Sequence, residues 1–70
     1  MRRVLVNGEA WDVVIGRESW GTFVLLFTPV AGGETRKSVL ASESALGAET
    51  ELDAMADDEL RVRLASSSPW

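Results

Sequence analysis

The dipeptide Asn7-Gly8 restricts this sequence more than any other feature in it. It stands between the apolar run Val4-Leu5-Val6 and a segment, Ala10 to Ile15, in which apolar residues alternate. Both residues accept the positive φ of a type I′ turn, and the tight loop they make fixes the register of the strands it joins. Val6 then faces Glu9, Leu5 faces Ala10, Val4 faces Trp11 and Arg3 faces Asp12. Side chains alternate along a strand, so Val4, Val6, Trp11, Val13 and Ile15 share one face. Trp11 is expected to fill the core opposite Val4. Arg3 and Asp12 meet on the other face as an opposite-charge cross-strand pair.

Beyond this hairpin the strand pattern continues. Gly16 to Gly21 reads as a second turn, and Thr22 to Thr28 as a third strand. In that strand Phe23, Leu25 and Phe27 point one way, Val24 and Leu26 the other. A strand apolar on both faces belongs in the middle of a sheet or is covered on both sides. Pro29 ends it, because proline cannot donate to the ladder. Ala31-Gly32-Gly33-Glu34 forms the next turn. Thr35 to Ala41 makes a fourth, more polar strand, in which Arg36 and Lys37 discourage pairing along its edge.

The pattern changes at Ser42. Residues 42–50 read as an acidic loop, in which the small, polar, Gly-interrupted stretch Ser42 to Ala48 is either loop or a short helical turn. Thr50-Glu51-Leu52-Asp53 reads as a helix start with acids in its first turn. Asp57 with Arg61, and Glu59 with Arg63, are acid-before-base pairs at i,i+4 and favour helix over Glu51–Ala65. Leu60-Arg61-Val62-Arg63-Leu64 also alternates as a fifth strand would. A helix break near Asp57 is compatible with the sequence, and residues 66–70 read as a tail. The expected fold is α+β in one domain. It has a four-stranded antiparallel meander (Arg2–Asn7, Ala10–Ile15, Thr22–Thr28, Thr35–Ala41) and a C-terminal helix packed on one face.

Length and composition narrow the functions open to such a fold. A chain of 70 residues buries only about 60% of the surface its unfolded state exposes. The sequence holds no Cys and no His. Disulfides and thiolate metal sites are thereby excluded, and so is the usual proton shuttle at neutral pH. The apolar runs are too short for a membrane span, and a cytoplasmic location is expected. Residues 1–41 carry a net charge of +1, whereas residues 42–59 hold seven acids and no base. Phosphate binding needs clustered Lys and Arg, so nucleic acid is not the expected partner.

Candidate sites were weighed on this basis. Lys37 and Ser38 cannot form a Ser-Lys pair, because neighbours on a strand point apart. Asp53, Asp57, Asp58 and Glu59 lack the calcium-loop pattern and read as a solvated helix start. Gly32-Gly33 is a hairpin turn without a phosphate-loop motif. No catalytic, cofactor or metal residue is assigned. The expected function is a non-catalytic protein-interaction module. Its candidate surface comprises Trp20, Val24, Leu26 and Trp70. Self-association as a homodimer through the Val24–Leu26 face is the route considered, with Leu5 and Val14 alongside. The alternative is an acidic regulator that imitates nucleic acid and blocks a basic site, using Glu49, Glu51, Asp53, Asp57 and Asp58.

Overall fold

The computed structural model describes residues 2–70. Its sheet has five strands in the order in which the chain makes them, all antiparallel. They are β1 (Arg2–Val6), β2 (Glu9–Arg17), β3 (Phe23–Pro29), β4 (Arg36–Val39) and β5 (Ser68–Pro69). Two helices, α1 (Ala45–Ala54) and α2 (Asp57–Ala65), lie between β4 and β5 in the chain. The fold class is α+β, as the alternation and helix signals require.

The first hairpin has the register that Asn7-Gly8 dictates. Val4 pairs with Trp11, Leu5 with Ala10, Val6 with Glu9 and Arg3 with Asp12. Asn7 and Gly8 take φ of 53° and 81°, both in the left-handed region of a type I′ turn. Arg3 Nε donates to Asp12 Oδ1 at 2.8 Å on the outer face. On the inner face Val4, Val13, Phe23, Leu25 and Phe27 join Leu40, Ala48, Leu52, Met55, Leu60 and Leu64 in one core. Val6, Trp11 and Ile15 pack on its margin. Trp11 is therefore half-buried rather than central.

Several boundaries differ from the expected ones. β2 runs to Arg17, through Gly16, which the sequence suggested would open a turn. Glycine at this position leaves room for Leu26, whose Cδ1 would lie 2.5 Å from a Cβ there and would have to shift. The helix expected at Glu51–Ala65 is two helices, and the first starts at Ala45 inside the expected acidic loop. Ser44 caps it, its Oγ accepting from Gly47 N at 3.0 Å, and this satisfies one of the orphan N–H groups of the first turn. The helices part at Met55-Ala56. Residues 60–64 are helical: Leu60 and Leu64 are buried while Val62 is exposed, the i,i+4 signature of a helix face. The expected tail supplies β5, so β4 is not an edge. Ser68 pairs with Lys37 and Pro69 with Arg36. Instead of repelling a neighbour, Arg36 holds the incoming segment, donating to Ser67 Oγ at 2.8 Å and Ser67 O at 2.6 Å.

The outer face of the sheet carries no helix, and the chain closes its centre by other means. Lys37 Nζ meets Glu18 Oε1 at 2.6 Å. The two residues flank β3 on opposite sides, so their ion pair crosses β3 on the outer face. Val24 beneath this crossing is fully buried, and Leu26, folded over Gly16, is half-buried. The apolar face expected to drive homodimer formation is thus closed at Val24. Leu5, Val14 and Val39 stay exposed around it.

Candidate functional site

The turn between β2 and β3 determines what the chain offers to solvent. Glu18 N donates to Thr22 O at 2.8 Å and Gly21 N to Glu18 O at 3.0 Å. Gly21 takes φ of 85°. A tight turn followed by a residue in the left-handed region is the usual closure of a three-residue hairpin loop. Trp20 occupies the tip just before that glycine, and its side chain is 96% exposed. Trp70 lies beside the other end of the Glu18–Lys37 pair, with Lys37 Nζ 5.7 Å from its ring centroid. It is 54% exposed.

Two open hollows flank the tip. One, of about 500 Å³, is lined by residues that include Arg17, Trp20, Gly21, Leu40 and Glu43. The other, of about 330 Å³, is lined by Arg17, Glu18, Ser19, Lys37 and Trp70. Arg17 is the wall common to both. Its guanidinium sits 5.4 Å from the Phe23 ring centroid, a cation–π contact that pins the side chain without neutralising it. Every other Arg and Lys among the described residues donates a side-chain hydrogen bond. Among the same residues Arg17 donates none and meets no carboxylate within ion-pair distance.

Of the four residues expected to form an interaction surface, Trp20 and Trp70 are exposed and belong to this end of the molecule. Val24 cannot contribute, because it is buried, and Leu26 contributes only in part. Arg17 was absent from the expected set. Its neighbour Glu18 does not face it, because consecutive residues of an extended chain point to opposite faces. The available signal was parity: counted from the Asn7-Gly8 register, Arg17 falls on the same face as Ile15, beyond the last apolar residue of β2.

The acidic candidates do not form one surface. Glu49 and Asp53 stand one helical turn apart on α1 beside a hollow of about 430 Å³ that Arg2 also lines. Asp57 pairs with Arg2 at 3.1 Å and Asp58 with Arg61 at 2.8 Å. Glu51 faces inward to a network of its own. Its Oε1 accepts from Ser42 Oγ at 2.7 Å and from Ser42 N at 3.3 Å, and Arg63 Nη2 lies 3.7 Å from Oε2. Among the described residues, no group of three or more acids is placed to hold a metal ion. No helix among them is long and apolar enough to cross a membrane.

The Glu51 carboxylate is held below the ordinary glutamate range, chiefly by the Ser42 hydroxyl, with help from backbone N–H groups and Arg63 against the opposing effect of burial. A carboxylate with a lowered folded pKa stabilises the fold fully above its unfolded pKa. That stabilisation is lost as pH falls through the folded value. Glu51→Gln is therefore expected to cost stability at neutral pH and to flatten the acid limb of the stability profile. Urea midpoints measured from neutral pH to about pH 3 test this. Parallel profiles for the two proteins would show that Glu51 carries none of the acid dependence.

Comparison of the chain with protein-family models, with curated proteins and with solved structures finds no match.

Proposed function

We propose that the chain is a non-catalytic protein-interaction module that engages its partner through the β2–β3 tip. The exposure of Trp20 carries this reading. An indole is a large apolar surface with only two side-chain rotations to lose, and Trp is among the residues most enriched at interface hot spots. Here it touches almost nothing of its own chain, on a tight loop that presents it at a fixed place. The absence of His and Cys from the sequence removes the commonest nucleophile-base pairs and metal ligands, which supports the non-catalytic part of the reading.

The acidic-regulator alternative has less support. Asp57, Asp58 and Glu51 already face arginines of the same chain, and a phosphate mimic needs its charges unpaired. The homodimer route through Val24 and Leu26 loses its central residue to burial. Capture from native cell extract on the immobilised protein tests the proposal. Trp20→Ala, which removes no buried contact, is expected to keep the unfolding midpoint and to lower capture of the partner at least about tenfold, the equivalent of roughly 1.4 kcal/mol. Equal capture by the variant would defeat it.

A further inference from the structure

An arginine without an acceptor, in a chain where acids outnumber bases by 11 to 7, calls for a physical account. Arg17 is exposed, so its fork of donors is open to a planar, two-oxygen acceptor, which it fits in bidentate fashion. The nearby acids do not supply one. Glu18 is engaged by Lys37 across β3. Glu43 lines the larger hollow with Arg17 but forms no ion pair with it. Phe23 meanwhile holds the guanidinium against an aromatic face at the mouth of both hollows. The side chains lining the smaller hollow are Arg17, the paired Glu18 and Lys37, the Ser19 hydroxyl and Trp70, so Arg17 is the charged side chain there without an ionic partner. Trp20 and Trp70 flank the two hollows.

We propose that the hollows beside the β2–β3 tip form an acidic-residue receptor, in which Arg17 takes a carboxylate side chain of a protein partner while Trp20 and Trp70 cover apolar residues next to it. This rests on the interaction-module reading and adds the chemistry of the partner. Arg and Trp are the residue types on which interface energy concentrates. A carboxylate settled on Arg17 leaves no unpaired charge of its own behind. Phosphate would fit the same fork, but Glu18 and Glu43 at the rims disfavour a dianion relative to a single carboxylate.

The test is a nuclear magnetic resonance titration of the full chain with two probes, acetyl-Glu-Phe-amide and acetyl-Gln-Phe-amide. The Arg17 Nε–H and the Trp20 and Trp70 indole N–H signals report on the two hollows separately. The glutamate probe is expected to shift Arg17 saturably in the millimolar range, which corresponds to about −4 kcal/mol at 1 mM. The glutamine probe should require several-fold higher concentration. In Arg17→Gln, whose remaining spectrum serves as the fold control, the two probes should become equivalent. Indole shifts that are the same for both probes, with Arg17 unmoved, would overturn the carboxylate assignment and leave the Trp20 contact standing. Arg17 silent to both probes at about 10 mM would overturn the receptor as well, while capture by Trp20→Ala decides the interaction-module reading independently. Concentration-dependent shifts without any probe would make a second copy of the chain the occupant and overturn the choice of partner.

Discussion

Phe27→Ala is expected to remove about half or more of the chain's stability and to bring the urea midpoint down steeply. Phe27 is fully buried at the middle of the sheet, opposite Val13 on β2 and Arg36 on β4. Truncating a buried phenylalanine costs about 3–5 kcal/mol, because the transfer energy is lost and the cavity does not fully collapse. A chain of this length has a total stability of roughly 4–10 kcal/mol by the usual range per residue. No disulfide is available to offset the loss. Far-UV circular dichroism with a urea titration reads the outcome. Phe27→Leu, costing about 1–1.5 kcal/mol, provides a folded comparison. A Phe27→Ala midpoint close to that of the parent protein would show that the core lies elsewhere.

The second large effect is expected at a surface arginine. Arg2 Nη1 donates to Leu52 O at 3.0 Å, and its Nη2 donates to Met55 O at 2.6 Å and to Asp57 Oδ1 at 3.1 Å. One guanidinium thus satisfies carbonyls at the end of α1 and faces an acid at the start of α2. Helix C-terminal carbonyls lack intrahelical donors and carry partial negative charge, so a cation there is doubly suited. Arg2→Ala is expected to destabilise the protein by about 2 kcal/mol. Hydrogen exchange should quicken at the α1–α2 junction before the sheet is affected. Arg2→Lys should recover less than half of the loss, since a single ammonium cannot span the three acceptors as a planar fork does. Full recovery by lysine would reduce the role of Arg2 to charge alone.

Arg2 also shows where the sequence stops being legible. The β1–β2 register follows from Asn7-Gly8, because the turn chemistry is local and the pattern of period two does the rest. The inner-face assignment of Phe23, Leu25 and Phe27 follows in the same way. The start of α1 was hidden because Gly47 reads as a breaker. The cap geometry reverses its meaning: a Cβ there would lie 2.9 Å from Ser44 Oγ, so glycine keeps the capping serine in place. The split of the helix at Met55 was compatible with the sequence, but its partner on β1 lies more than fifty residues away. For the candidate site, Trp20 and Trp70 could be named from residue type alone. The burial of Val24 could not, since it depends on an ion pair reaching diagonally over a strand. Arg17 could not be distinguished from the other arginines until the acceptors of each were known.

The order of the sheet has a kinetic consequence. Strands β1 to β4 each pair with their neighbour in sequence, so the meander assembles through short loops whose closure costs little entropy. The Arg2 contacts span separations of 50, 53 and 55 residues and require the helices to be in position first. By their separation they are expected to form late, after the rate-limiting step, so that Arg2→Ala should speed unfolding more than it slows refolding. Their energy then opposes opening rather than promoting collapse. The guanidinium joining the first strand to the helices acts as a latch on the lifetime of the native state, while the speed of reaching that state is set by the hairpins.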